Sequence, residues 1–318
     1  MPKKSEEKPS YLRTILNIIG IISGIISIVI FLFVVFIVII AFSEPTTFSE
    51  GNIAIIPIEG VITTQGTLGA FAEEGTPSAE IVQWIADAEA DENIKAVIFR
   101  IDSPGGTPVA TDEIASAINN MEKPSVSVIR EVGASGAYWV ASATDKIYAN
   151  RMSMVGSIGV LASYIEFAGT LERYNATYRS LTAGEFKDTG DPFKELTSKE
   201  EALFQAQLDK LHTIFIKAVA ENRGLPEDKV RKLANGWIYM GTEALEFGLI
   251  DAIGSEDDAI ADLEESLNLT AEIVEFSSPL TFFDEFSSFT KINAFALGRG
   301  FAYEMLQPRL QSHPQVWT

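Results

Sequence analysis

The stretch from Ser125 to Ala143, SVSVIREVGASGAYWVASA, decides the predicted fold. It begins with an apolar, β-branched run that predicts a strand, and it ends in small and aromatic residues that predict a helix. Gly133-Ala134-Ser135-Gly136-Ala137 lies between the two. A serine in this position is exposed at the tip of the turn, beside the free N–H groups of the helix N-terminus. Ser135 is therefore a candidate nucleophile, although small residues here also suit close packing of a helix on a sheet.

The residues before this stretch predict a parallel α/β sheet. Strand and helix patterns alternate there, with strands at 52–60 and 94–102 and helices at 78–91 and 109–121. Such alternation is typical of parallel strands joined by crossover helices, whose functional residues gather at the carboxyl ends of the strands. Gly105 and Gly106 follow one strand and Ser135 follows the next. The two glycines are a plain turn by themselves, but beside a serine their amides can form an oxyanion hole.

The N-terminal end predicts a membrane anchor. An apolar run without charged residues extends from 15 to 42, and lysines and an arginine precede it. About 20 apolar residues span a bilayer, whereas the apolar core of a cleavable signal peptide has about 7–15. The basic flank places the N-terminus in the cytoplasm and the rest of the chain on the extracytoplasmic side of the plasma membrane. A cleaved signal, cut at residues 41–43, is the alternative.

Composition excludes several functional classes. The 318 residues are 47% hydrophobic and 21% charged, which is typical of a folded protein. A formal net charge of −20 argues against a nucleic-acid partner, because phosphate binding needs clustered Lys and Arg. The chain has no cysteine, which excludes disulfides, thiolate nucleophiles and Cys-ligated zinc.

A serine nucleophile needs a base to take its proton, and the sequence offers several. His212 lies in a predicted helix at 198–222 and His313 in a polar tail, so a Ser-His-Asp triad is not favoured. Lysine is the next candidate, because burial and neighbouring groups can lower the pKa of an amine. Lys187 lies in a Gly-bounded loop before the long helix. Other lysines lie on predicted helix surfaces, and spacing alone does not decide among them: Lys199, Lys210, Lys217 and Lys229.

Several segments together resemble one known family. The chain resembles the membrane-anchored signal peptide peptidase A family, which is the short form of protease IV. Members of this family are Ser/Lys peptidases of the ClpP/crotonase fold superfamily. The matching segments occur in family order over 53–275, and they are RIDSPGG (100–106), ASGAY (134–138), VGSIGV (155–160), FKD (186–188), GWIY (236–239), GTEA (241–244) and FGLID (247–251).

The resemblance assigns roles to individual residues. It implies that Ser135 is the nucleophile, that Lys187 is the general base, and that Ser157 orients the lysine. It also implies an oxyanion hole built from the backbone N–H groups of Gly106 and Gly136. The family forms rings or domes in which the lysine reaches the serine of a neighbouring subunit, so a homo-oligomer with shared active sites is expected. No metal or other cofactor is implied.

The expected function follows from the same resemblance. It implies degradation of cleaved signal peptides and other short hydrophobic peptides at the non-cytoplasmic membrane face. The predicted organisation is a cytoplasmic N-terminus (1–14), a transmembrane signal anchor (15–42), a linker (43–51), a Ser/Lys peptidase domain (52–276) and a C-terminal extension of unknown role (277–318). One departure concerns the site itself, because Ala137 stands where many members have glycine.

Three alternatives stay open at this point. A stomatin-processing membrane protease of the same superfamily is the nearest, although such proteins usually carry further transmembrane helices. A crotonase-like acyl-CoA enzyme uses the same fold and oxyanion hole, but the anchor and the Ser135/Lys187 pair speak against it. A catalytically inactive scaffold is disfavoured by the same pair.

Overall fold

The computed structural model describes residues 11–41, 51–65 and 75–277. Within the first range, side chains are described for 15–37. Most of the predicted linker (43–51), nearly all of the C-terminal extension (277–318) and His313 lie outside the described residues. The described residues from Gly51 onward belong to one compact unit, Ser49–Ser278.

The N-terminal apolar run forms one long helix, α1 (Tyr11–Ala41). Its segment Ile15–Ile37 contains 23 residues with a mean hydropathy of 3.1, so it is long and apolar enough to cross a membrane. The prediction of one N-terminal apolar helix is confirmed.

The compact unit alternates strands and helices. In chain order, its elements are β1 (Ile53–Glu59), β2 (Ile62–Thr63), β3 (Thr76–Pro77), α2 (Ser78–Ala90), β4 (Ala96–Ser103), α3 (Pro108–Asn119), β5 (Ser125–Ala134), α4 (Gly136–Ser142), β6 (Lys146–Ala149), β7 (Met154–Gly156), α5 (Ala168–Arg173), α6 (Ser198–Arg223), α7 (Glu227–Leu233), β8 (Ile238–Met240), α8 (Gly241–Phe247), β9 (Ala252–Ile253), α9 (Glu256–Leu267) and β10 (Ile273–Glu275).

Eight strands form one sheet, with the order β10-β1-β4-β5-β6-β9 and a branch in which β7 pairs with β5 and β8. All pairs are parallel except β7 with β8. Helices α2 and α3 are the crossovers that connect β1 to β4 and β4 to β5. The predicted α/β fold with a parallel sheet and crossover helices is confirmed, and it brings the ends of β4, β5 and β7 together.

Both faces of the sheet are buried, which explains why the strands are apolar along nearly their whole length. The face that packs with α2, α3 and α4 carries one alternating set of strand residues: Ala54, Ile56, Val97, Phe99 and Ile129. The opposite face packs on α9 through the other set: Ile53, Ile55, Ala96, Ile98, Val126 and Val128.

Helix α4, which begins directly after Ser135, lies in the core along its whole length. The Tyr138 hydroxyl donates to the Leu249 carbonyl at 2.8 Å, and the Trp139 ring stacks on Phe215 of α6 at 5.0 Å. Ala137 is fully buried in the same cluster. Its methyl group is therefore accommodated by core packing.

Helix α6 is only half embedded in the core. It starts with a capping box between Thr197 and Glu200, and it ends at Gly224, which has a φ of 60°. Residues 201–211 are mostly exposed, whereas Phe215, Ile216 and Val219 in the later part are buried. The first half of α6 therefore projects beyond the core of the unit.

Candidate active site

Ser135 occupies a strained turn between β5 and α4. Its φ of 53° and ψ of −124° lie outside the regions that L-residues usually adopt. The Ser135 amide donates to the Gly156 carbonyl at 2.7 Å, and the Ser135 carbonyl accepts from the Trp139 amide at 3.1 Å. These bonds tie the turn to β7 on one side and to α4 on the other. Strain of this kind persists where the surrounding structure over-determines the conformation, and it clusters at active sites.

An irregularity in β5 brings the Gly105 loop beside the serine. Ile101 pairs with Ile129, but Ser103 pairs with Gly133, so β5 carries two more residues than β4 between these pairs. The Asp102 carboxylate fills the gap by accepting from the Val132 amide at 3.1 Å. The bulge thus adjusts the register so that the ends of both strands meet.

Two backbone amides lie next to Ser135. A Cβ added to Gly105 would lie 2.7 Å from the Gly136 nitrogen and 2.9 Å from Ser135 Cβ, and one added to Gly136 would lie 3.2 Å from the Gly106 nitrogen. The loop needs glycine at 105, where φ is 101°. In the described part of the chain, neither the Gly106 nor the Gly136 amide donates to a protein acceptor. Two donors are thus available beside the hydroxyl, as an oxyanion hole requires.

The buried hydroxyl of Ser103 fixes the loop that carries these glycines. Its Oγ donates to the Gly60 carbonyl at 2.6 Å and accepts from the Gly105 amide at 3.1 Å. Ser103 belongs to the RIDSPGG segment, but sequence reasoning assigned it no role. Its nearest signal was its place just before the glycine pair, from which only Pro104 separates it. Its bond to Gly60 spans 43 residues of chain.

Ser157 lies beside Ser135, at the end of the neighbouring strand. Its amide donates to the Trp237 carbonyl at 2.9 Å, and its Oγ donates to the Gly236 carbonyl at 3.4 Å. Its φ of 51° is also left-handed. The structure therefore brings together four of the five predicted site residues.

Lys187 is the fifth predicted site residue, and it makes no contact with the other four among the described residues. It is exposed, and its side chain forms no hydrogen bond or ion pair with the described residues. Its loop turns at Gly184 and Gly190, which have φ values of 118° and 80°. An exposed, unpaired amine in a defined loop is free to meet another group.

Residues on either side of Lys187 attach its loop to the start of α6. The Lys194 ammonium lies 2.9 Å from the Asp188 carboxylate and 2.6 Å from that of Glu200, to which Thr189 Oγ1 also donates at 2.9 Å. The side chain of Glu200 is only 4% exposed. The hydrogen bond from Lys194, with others from Thr197, lowers the pKa of Glu200 to about 2. Sequence reasoning missed this network, since its members look like ordinary surface charges.

The other candidate bases in the described part of the chain lie on α6 and α7. His212 is half-buried on α6, and its Nε2 is buried without a hydrogen-bond partner in the described residues. Lys199 pairs with Glu185 at 2.6 Å. Lys210 and Lys217 are exposed on α6, as Lys229 is on α7.

Comparison with known proteins identifies the family. The family description Peptidase family S49 matches residues 117–270, which include Ser135, Gly136, Ser157 and Lys187. A protein of Methanocaldococcus jannaschii named as a protease is 34% identical over 211 residues, which cover 65% of this chain and 68% of that protein. An Enterococcus faecium protein that bears the name signal peptide peptidase SppA is 30% identical over 239 residues, covering 74% and 70%.

A third relative is much longer than this chain. Protease 4 of Haemophilus influenzae is 30% identical over 220 residues, which cover 68% of this chain and 35% of that protein. The matched part of all three includes most of the compact unit, and two of them are covered over more than two thirds of their own length. The chain therefore belongs to peptidase family S49, a family of serine-type proteases.

Proposed function

We propose that the protein is a membrane-anchored endopeptidase in which a Ser/Lys dyad degrades cleaved signal peptides and other short hydrophobic peptides. The observation that carries this proposal is the position of Ser135, a strained serine at a strand end with the free amides of Gly106 and Gly136 beside it. The family supplies the peptidase activity, and the named residues supply the mechanism.

The mechanism follows from these positions. Neutral Lys187 accepts the proton of Ser135 Oγ as the oxygen attacks a peptide carbonyl, and the Gly106 and Gly136 amides hold the resulting oxyanion. The lysine then passes its proton to the leaving amine, and water hydrolyses the acyl-enzyme. The Ser157 hydroxyl, whose own proton goes to the Gly236 carbonyl, accepts a hydrogen bond from the amine and so orients it. Because only an unprotonated amine is a base, activity rises as the solution becomes more alkaline.

We propose further that the lysine acts on the serine of a neighbouring subunit. The Lys187 loop is fixed to the start of α6 through Glu200. Glu200 lies about 22 Å along that helix from Phe215, at 1.5 Å per residue. Phe215 is where α6 contacts the nucleophile helix, through Trp139. The loop is thus carried outward from the core. Exposed apolar side chains in the same region favour a second copy as its partner: Leu161, Ile165, Tyr174 and Leu181.

Apolar surface beside the site favours hydrophobic peptides as substrates. The carbonyl of Trp237 accepts a hydrogen bond from the Ser157 amide, and the Trp237 residue is 68% exposed. Ile238, which pairs with Gly156, is 42% exposed. Signal peptides contain an apolar core of this kind. The anchor α1 would hold the site at the plasma membrane where such remnants remain, with the basic N-terminus in the cytoplasm and the site on the far face.

The direct test is cleavage of a synthetic signal peptide by the full chain in detergent. Ser135→Ala and Lys187→Ala are compared with Lys210→Ala, which removes an exposed lysine on α6. We expect the first two to lose activity by at least about 10³-fold, with unchanged oligomer size, and the third to keep it. An active Ser135→Ala enzyme would overturn the nucleophile, and an active Lys187→Ala enzyme would overturn the base.

A further inference from the structure

Thr111 carries a buried hydroxyl that has no partner in the described residues. It lies in the first turn of α3, directly after the Gly105-Gly106 loop, and it is only 1% exposed. Its Oγ1 is buried and forms no hydrogen bond within the described part of the chain. A threonine in a helix can bond its hydroxyl to the carbonyl one turn earlier, which it shares with the backbone amide. Here the Thr107 carbonyl accepts the Thr111 amide at 3.1 Å, but Thr111 Oγ1 makes no such bond. Buried polar groups in native proteins are nearly always paired, so this one calls for an explanation.

The hydroxyl lies against Gly136, on the side where the Gly106 nitrogen also approaches. A Cβ added to Gly136 would lie 2.4 Å from Thr111 Oγ1 and 3.2 Å from the Gly106 nitrogen. Thr111 Oγ1 and the Gly106 amide therefore border the same side of Gly136. This contact also explains why position 136 has no side chain, since a methyl group there would collide with Thr111 Oγ1.

We propose that the Thr111 hydroxyl is a third hydrogen-bond donor to the oxyanion that forms when Ser135 attacks a peptide carbonyl. A hydroxyl hydrogen rotates to suit its acceptor, and no acceptor among the described residues competes for this one. Negative charge developing next to Gly106 and Gly136 supplies the missing partner, so the group is satisfied only in the transition state. An interaction made only there lowers the barrier without tightening substrate binding. The inference rests on the proposed function, because it needs Ser135 to act as a nucleophile.

Four variants of the full chain in detergent test this donor. Thr111→Val keeps the shape and removes the hydroxyl, Thr111→Ser keeps the hydroxyl and removes the methyl, and Thr111→Ala removes both. For signal-peptide cleavage, we expect Thr111→Val to lower kcat about 10²-fold, the typical effect of one oxyanion donor, with little change in KM. Thr111→Ala should lose as much and Thr111→Ser little. Ser135→Ala is the inactive reference.

Two further measurements separate catalysis from packing. The serine oxygen adds to the carbonyl carbon of a peptide aldehyde, and the oxygen of the resulting hemiacetal occupies the oxyanion hole. The inhibition constant of the aldehyde should therefore rise in Thr111→Val by about the factor lost in kcat. The melting temperature of Thr111→Val should be equal to or above that of the parent, because an unpaired buried hydroxyl has been removed.

The outcomes that overturn the inference are distinct from failure of the proposed function. If Thr111→Val cleaves like the parent, or if Thr111→Ser and Thr111→Ala lose activity equally, the hydroxyl has no catalytic role. If Thr111→Val does not fold, the Ser and Ala variants decide alone. If the parent itself cleaves no peptide, the proposed function fails first.

Discussion

Ser135 and Ser157 stand side by side at the carboxyl ends of adjacent parallel strands. Ala134 pairs with Gly156, and the Ser135 amide donates to the Gly156 carbonyl at 2.7 Å. Both serines have a left-handed backbone, with φ values of 53° and 51°. A residue with positive φ therefore follows both strands, and the two hydroxyls start from neighbouring backbone positions. Our assignment of one as nucleophile and the other as the group that orients the lysine depends on this pairing.

The left-handed backbone at Ser135 predicts an unusual order of stability. Ser135→Gly should be more stable than Ser135→Ala by about 1–2 kcal/mol, because a Cβ is strained at positive φ. Both variants should be inactive. At Ala143, where φ is −80°, glycine should instead cost about 0.5–1 kcal/mol. Urea denaturation measures all three. Equal stability of the two Ser135 variants would mean that the turn is unstrained.

Shared active sites predict that two inactive proteins can restore each other. In oligomers assembled from equal amounts of Ser135→Ala and Lys187→Ala chains, about one quarter of the sites should contain an intact serine with an intact lysine from a neighbour. Co-expression followed by peptide cleavage measures this. Mixing chains that carry the same substitution is the control. Activity that stays at the background of the single variants would show that each lysine serves its own chain.

The bonds of Ser103 predict that a residue outside the reacting groups controls the oxyanion loop. Ser103→Ala leaves the Gly105 amide and the Gly60 carbonyl without their buried partner, which should cost about 1–3 kcal/mol of unfolding free energy and lower kcat. Ser127 is the matched control, because its Oγ is equally buried but has no partner among the described residues. Ser127→Ala should be neutral or stabilising. If the two variants behave alike, the Ser103 bonds do not hold the loop.

The Lys187 loop should loosen in acid. The pKa of Glu200 falls from its ordinary 4.5 to about 2, mainly because of Lys194. A lowered carboxylate pKa means that the stabilisation is fully present above about 4.5 and is lost as pH falls towards 2. Amide hydrogen exchange of residues 184–194, corrected for intrinsic rates, should therefore increase between pH 5 and about 3.

Substitution identifies the group responsible for that loss. Glu200→Gln should make the loop exchange rapidly at pH 5 and remove most of the further change in acid. Glu201→Gln, at an exposed position next to it, should behave like the parent. Acid loosening that survives in Glu200→Gln would assign the effect to other groups.

Local patterns predicted the elements because their causes are local. The apolar period of α6 places it at 198–222, and the structure has Ser198–Arg223. The β-branched run before Ser135 and the small residues after it form β5 and α4 as expected. Burial on both faces of a parallel sheet makes the strands apolar, so they can be recognised in the sequence. Their alternation with helices along the chain indicates the α/β class. Membership of family S49 agrees with the predicted ClpP/crotonase-like fold.

The sequence by itself thus determined the class of fold, the apolar N-terminal helix and, through its motifs, the identity of the candidate site residues. Tertiary structure alone decided the bulge that Asp102 fills, the bonds of Ser103, the unpaired hydroxyl of Thr111 and the Lys194–Glu200 network. These features depend on which distant segments of the chain meet in the folded protein, or on a polar group that finds no partner there. The local pattern of apolar and polar residues along the sequence carries no information about either.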